Sequence, residues 1–313
     1  MAICVFDISA NGTASVPTDS DLTGNGRYRW WHYDMTDPEF AGWVTSHLPP
    51  IPAGALLQAE TRPRCDTYND GLMLNLRGIN MNKDAVADEM ISLRLWVADD
   101  VLITVRRRKV FAVDAIRAAC EAGNAPKDPA TFLEWLVDGL TTRVENHIDT
   151  IEQLTDFYET DLEDTDTLPP RDLPVTRRSI IRLRRYLEPQ RHALAKLAAI
   201  NLPIMPEPNA MQLREIANRS TIAVEELDEL RDRLTSIQGE HDNHVAQRQA
   251  RHSYVLSVAA ALFLPLSFIT GLFGVNLAGM IGADHPHAFA ILCLSMLGLS
   301  VAMVAILRWI RWI

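Results

Sequence analysis

Gly274, Val275 and Asn276 form a short turn directly after an uncharged run, Ser253 to Phe273. The carbonyl of an asparagine amide can accept hydrogen bonds from the water around a divalent cation without stripping that water. This is a low-energy way to admit a strongly hydrated ion. Two other groups combine histidine with carboxylate. Glu240, His241, Asp242 and His244 precede the uncharged run, with His241 and His244 three residues apart and so on one helical face. Asp284, His285 and His287 follow the turn. Imidazole and carboxylate are zinc ligands, and imidazole carries protons near neutral pH. A solvated helix face and a polar loop account for the same residues more simply, and that reading is preferred for both groups. Along the uncharged run, Ser253, Ser257, Ala260, Leu264, Ser267 and Gly271 share one helical face, with Thr270 beside the glycine. These are candidates to line a wet passage, although small residues also permit close helix packing.

The elements that must position these residues are membrane helices. Ser253 to Phe273, and Ala288 to Leu307 further on, are both free of charge. Each is long enough to cross ~30 Å of hydrocarbon as a helix. Arg248 and Arg251 precede the first, Arg308 and Arg311 follow the second, and the loop between them has no Lys or Arg. The positive-inside rule therefore places both termini in the cytoplasm and the loop outside. No apolar segment with a basic flank opens the chain, so no cleavable signal is expected. Cys4, Cys65, Cys120 and Cys293 show no C-x-x-C spacing and read as reduced thiols. The net charge of −10 argues against nucleic acid as a partner. The expected location is the inner or plasma membrane, with lipid around the two spans.

Before the membrane, Ile3 to Phe6, Arg27 to His32, Leu72 to Leu76, Ile91 to Val97 and Val101 to Val105 have strand character. Asp99-Asp100 predicts a tight hairpin between the last two. Pro38 to His47, capped by Thr36 or Asp37, and Asp114 to Ala122 read as helices. The expectation is layered α/β structure with a mostly antiparallel or mixed sheet. From Ala130 apolar residues recur at helical steps, as far as the acidic run Asp161 to Asp166 and Pro169-Pro170. Val175 to Asn201 predicts a second helix, antiparallel to the first and kinked at Pro189. A third carries a heptad seam through Ile216, Ser220, Ala223, Leu227, Leu230, Leu234, Ile237, His241, His244, Arg248 and Arg251. With Gly239 its only weak point before Pro265, it can run unbroken into the membrane. Two spans cannot enclose a pore, so a pore requires several subunits around an axis.

These residues carry a family resemblance. Thr270 to Asn276 resembles the Gly-x-Asn signature of the CorA-like metal-ion transporters, which end in two membrane helices. Thr61-Arg62-Pro63-Arg64, Arg106 to Val110 and Arg184 to Arg191 resemble stretches of the zinc-transporting branch of that family. The magnesium branch reads Gly-Met-Asn followed by an acidic loop, whereas here Val275 replaces Met. The resemblance implies an α+β membrane protein, in which a cytoplasmic αβα funnel domain bears a very long stalk helix that continues into the first of two C-terminal transmembrane helices. It implies the segments 1–209 for the α/β/α domain with its helix pair, 210–252 for the stalk, 253–273 for the pore-lining helix, 274–287 for the outer loop, 288–307 for the second helix and 308–313 for a cytoplasmic tail. It further implies a homopentamer with Asn276 in a ring at the outer mouth. The cargo is zinc or another divalent cation, possible coupling to protons is included, and no catalytic cofactor is expected.

The residues themselves do not spell out zinc, since the first span contains no Cys, His or carboxylate. Neither span holds a carboxylate to relay protons, so any coupling would use loop or stalk groups, or water. A divalent cation moving inward gains ~2.3 kcal/mol per charge per 100 mV, which favours uptake. No phosphate loop, catalytic triad or H-E-x-x-H is present, so an enzyme is not expected. A magnesium or cobalt channel, zinc efflux and a membrane-anchored sensor remain as rivals. Arg106 to Lys109 reads either as a basic patch or as a strand end with solvated charge.

Overall fold

The computed structural model describes residues 2–59, 61–83, 85–163, 172–275 and 286–310. The chain divides into two compact units, Met1–Gln238 and Gly239–Ile313.

In the first unit, β1 (Cys4–Ile8), β2 (Ala14–Ser15), β3 (Tyr28–Asp34), β4 (Arg64–Tyr68), β5 (Gly71–Gly78), β6 (Ile91–Val97) and β7 (Val101–Arg106) make one sheet in the order β2-β1-β3-β7-β6-β5-β4. Only β3 and β7 pair in parallel; the other pairs are antiparallel, as a mixed sheet requires. Between β6 and β7, Asp99-Asp100 forms the expected tight turn, closed by the Ala98 N–H donating to the Val101 carbonyl at 2.8 Å. Strand alternation sorts side chains to two faces. Trp31 and Tyr33 of β3 and Val101, Ile103 and Val105 of β7 pack with α1 (Phe40–His47) and α2 (Pro50–Leu57). Tyr28, Trp30 and Leu102 face the other way, onto α3 (Phe111–Glu121) and the start of α4 (Pro129–Glu163). The domain is therefore a three-layer α/β/α stack.

Several local expectations shift. Helix α1 starts at Phe40, not Pro38, because the Asp37 side chain accepts the Glu39 N–H at 2.9 Å and holds a turn ahead of the helix. Helix α2 arises inside a proline-rich stretch that reads as a breaker. Pro50 and Pro52 fall in its first turn, where no intrahelical N–H is needed. Strand β4 lacks apolar alternation, yet the Asn69-Asp70 turn before Gly71 is a hairpin signal, with Asn69 at φ 50° in the left-handed region it tolerates. Helix α5 (Leu173–Ala198) runs through Pro189 as one element. The proline pair at 169–170 lies outside the described residues.

Helix α6 (Glu207–Phe273) is one helix of 67 residues. Its seam residues Ala223, Leu227, Leu230, Leu234 and Ile237 are buried in a core shared with Val144, Ile148 and Ile151 of α4 and Ile180, Leu183 and Leu187 of α5. Ion pairs give the register. Arg219 meets Asp138 and Glu145, and Arg233 meets Asp156 and Glu159, so α4 and α6 run parallel. Arg184 meets Asp228 while Arg177 reaches Gln238, so α5 runs against both. The heptad seam thus finds its cover within the chain as far as Ile237, and the first half of α6 belongs to the α/β/α unit. Beyond it His241 is half-buried, and His244, Arg248 and Arg251 are exposed.

Candidate functional site: the first membrane helix

In the second unit, the end of α6 and α7 (Ala288–Trp309) are long and apolar enough to cross a membrane. The half-buried residues of α6 in this stretch, Val258, Ala259, Ala261, Leu262, Pro265, Leu266 and Ile269, fall on one side of the helix. Those of α7, Ala288, Leu292, Met296, Leu299, Ser300, Met303, Val304 and the buried Leu307, also lie on one side. Spacing of three and four residues produces such stripes where two helices cover each other. Ser253, Ser257, Ala260, Leu264, Ser267 and Gly271 are all exposed. At ~100° per residue their face lies roughly 160° from the half-buried one. The small-residue stripe therefore points away from α7.

The hydroxyls on α6 and α7 differ in what they do. Thr270 Oγ1 donates back to the carbonyls of Leu266 and Ser267, both at 3.1 Å. Ser295 and Ser300 of α7 do the same to Leu292 and Met296 at 2.8 Å. Such back-bonds satisfy a hydroxyl inside hydrocarbon. Among the described residues the hydroxyls of Ser253, Ser257 and Ser267 make no hydrogen bond and remain available along the stripe. Thr270 lies ~100° off the stripe by the same helical wheel, and its hydroxyl is committed to its own helix. Sequence reasoning gives the face; it does not separate tied from untied hydroxyls.

Helix α6 ends at Phe273, with the Gly274 N–H donating to the Thr270 carbonyl at 2.9 Å. Gly274 and Val275 follow as exposed turn residues. Asn276, Asp284 and His285 lie outside the described residues. His287 occupies the N-cap position of α7. Among the described residues no group of three or more His, Cys, Asp or Glu side chains is placed to hold a metal ion. His241 and His244 stay on one helix, and a full tetrahedral zinc set there would need ligands from elsewhere.

Two buried polar residues of the first unit, Arg29 and His32, find partners within it. Arg29, fully buried, is held by Asp7 and Asp19 at 2.5 Å, and these carboxylates keep its pKa above the usual value. His32 is buried with Nδ1 2.7 Å from Thr104 Oγ1; desolvation, aided by nearby Arg106, pushes its pKa down to about 3.

An α/β/α domain whose longest helix continues into the first of two apolar C-terminal helices, each long and apolar enough to cross a membrane, has the layout of a two-span metal-ion transporter. Residues 25–309 match the sequence profile of the CorA-like Mg2+ transporter protein family, and the chain belongs to that family. It is 32% identical over its whole length to the zinc transport protein ZntB of Pectobacterium carotovorum, covering 96% of that protein. It is 34% identical to the divalent cation transporter CmaX of Pseudomonas aeruginosa, over 91% of this chain and 87% of that one. The solved full-length CmaX structure superposes with a TM-score of 0.88, covering 99% of this chain and 98% of that one at 32% identity. The solved cytoplasmic domain of ZntB from Vibrio parahaemolyticus matches 79% of this chain and 98% of its own, with a TM-score of 0.71 and 25% identity.

Proposed function

We propose that the chain carries divalent cations across the inner membrane, with zinc uptake as its principal activity. The observation that carries this reading is the exposed small-residue stripe of α6, turned away from α7, with three uncommitted serine hydroxyls. In hydrocarbon such hydroxyls are poorly placed against lipid and well placed against water. Two spans cannot surround a passage, so the stripe faces its own copies around an axis in a homo-oligomer, and the family resemblance supports a pentamer. Ser253, Ser257, Ala260, Leu264, Ser267 and Gly271 line the passage. Gly274, Val275 and Asn276 set the amide ring at its outer mouth, where a cation still keeps its water. Residues 274–287 form the outer loop and 288–307 the lipid-facing second span. Arg248, Arg251, Arg308 and Arg311 hold both ends, and the α/β/α domain, in the cytoplasm.

Zinc as cargo is supported by the name of the Pectobacterium relative. Inward direction is supported by the membrane potential, worth ~4–5 kcal/mol for a divalent ion at about 100 mV. The family also contains magnesium transporters, and the stripe offers no zinc-type ligand; this supports a magnesium channel as the second reading. Purified full-length chain reconstituted in liposomes separates them. Zinc-sensitive and magnesium-sensitive dyes are read in parallel under a negative-inside potential, with and without a pH gradient. The expected result is zinc influx exceeding magnesium influx, whereas magnesium influx without zinc assigns the second reading. A pH-gradient dependence adds proton coupling to the account, and its absence removes it.

A further inference from the structure

Three stretches far apart in sequence, containing Arg62 and Arg64, Arg107 and Arg108, and Arg182 and Arg185, meet with Arg77 in one cleft of about 1090 Å3 on the α/β/α domain. Two acids, Asp88 and Glu89, also line it. Such a concentration of positive charge stands out in a chain of net charge −10. Like charges brought together by folding destabilise the fold unless something of opposite sign joins them.

The arginines divide into fixed and uncommitted ones. Arg77 donates to the carbonyls of Met90 and Thr61, both at 2.8 Å, and lies 4.2 Å from the Tyr186 ring centroid. Arg64 reaches Asp66 at 3.8 Å, and Arg182 reaches the buried Asp88 at 3.6 Å. Beside the cleft, Arg94 is fully buried and donates to the Gln58 and Ala59 carbonyls and to Ser92 Oγ, all from residues of the cleft lining. Burial, with Arg77 and Arg107 nearby, lowers the Arg94 pKa to about 10. Among the described residues Arg62, Arg107, Arg108 and Arg185 form no hydrogen bond or ion pair; Arg185 only flanks the Tyr186 ring at 5.7 Å. The cleft thus has an anchored floor and a rim of four free guanidinium forks.

We propose that this cleft binds a small anion carrying several phosphate groups, of the nucleoside triphosphate or inorganic polyphosphate kind. Guanidinium forks match phosphate oxygens in paired hydrogen bonds, and one phosphate occupies only one or two forks. Four uncommitted forks around a bounded cleft therefore call for a chain of phosphates. The acidic character of the whole protein disfavours a long nucleic acid, which must pass over the surrounding surface. A cation cargo gains nothing from this cleft, so the site is a ligand site separate from the transport path.

The test uses full-length chain in detergent at ~150 mM salt, where exposed charges are screened beyond about 8 Å, with divalent metal removed. Tripolyphosphate, ATP and orthophosphate are titrated by calorimetry. Saturable binding of tripolyphosphate or ATP at one site per chain is expected, with orthophosphate at least tenfold weaker. An affinity for ATP above that for tripolyphosphate assigns a nucleotide; equal affinities assign inorganic polyphosphate. The Arg107→Ala, Arg108→Ala double variant should lose tenfold or more in affinity with an unchanged unfolding temperature. Arg214→Ala, an exposed arginine paired with Glu207 on α6, should bind as the parent does. Absence of saturable binding, or equal loss in both variants, overturns the proposal. Loss of oligomer mass in the double variant by light scattering also overturns it, since the cleft is then a contact between copies.

Discussion

Leu227→Ala asks where the seam of α6 finds its cover. Leu227 is fully buried, in one core with Ile148 and Ile151 of α4 and Ile180, Leu183 and Leu187 of α5. Truncation removes buried apolar surface worth about 2 kcal/mol and leaves a cavity between three helices that are braced along their length. A cost of about 3–5 kcal/mol is expected. Arg233→Ala provides the comparison on the same helix. It removes an ion pair to Asp156 and Glu159, whose side chains are 61% and 44% exposed, and such pairs are worth about 0–1 kcal/mol. Packing should therefore outweigh the ion pair severalfold. Urea unfolding of the full chain in detergent, followed by circular dichroism at two protein concentrations tenfold apart, measures both. If the Leu227→Ala loss is below 1 kcal/mol, or changes with concentration, the seam is covered by another copy and the intrachain core described above is wrong.

Two further substitutions probe the α/β/α domain. His32 has its pKa pushed down to about 3, so the unfolded chain takes up a proton near pH 6.5 that the folded one refuses. Stability from this group is complete above pH 6.5 and falls by about 1.4 kcal/mol per unit below it, until the folded site titrates. His32→Gln, which retains a polar group for Thr104, should reduce the loss between pH 7 and pH 5 by about 2 kcal/mol; an identical pH dependence in parent and variant would show that His32 is not buried neutral. Gly71 lies against the Trp96 ring, where a Cβ would overlap the ring atoms. Gly71→Ala should lower stability by about 1–3 kcal/mol in thermal unfolding, and a neutral result would mean that Trp96 moves freely.

How much of this was legible depended on whether the signal was periodic. Ile91 to Val97 and Val101 to Val105 announce their hairpin through alternation and the Asp99-Asp100 turn, and the structure has β6, the turn and β7 there. The long helices announce themselves through steps of three and four. Helix α2 and strand β4 were missed because their signals are local and contrary. Prolines at 49, 50 and 52 look like a break until one is seen to be N1, and Arg64 to Tyr68 contributes one buried Cys65 to the core. The stripe of α6 is visible on a helical wheel, but that it points away from α7 emerges only when α7 is present. The arginine cleft was invisible for a different reason. Arg62 and Arg64 at the start of β4, Arg77 of β5, Arg107 and Arg108 past the end of β7, and Arg182 and Arg185 of α5 are far apart in sequence, and only the fold brings them together.

Zinc influx into liposomes carrying the full-length chain with Ser267→Phe, set beside Leu294→Phe, tests the account most directly. Ser267 lies on the exposed stripe of α6, and Leu294 is exposed on the face of α7 away from its half-buried stripe. The same bulk is added in each case, once in the proposed passage and once toward lipid. Under a negative-inside potential, Leu294→Phe should conduct as the parent does, and Ser267→Phe should lose at least nine-tenths of the flux. Equal flux in the two variants would contradict the claim that the small-residue face of α6 lines the ion path.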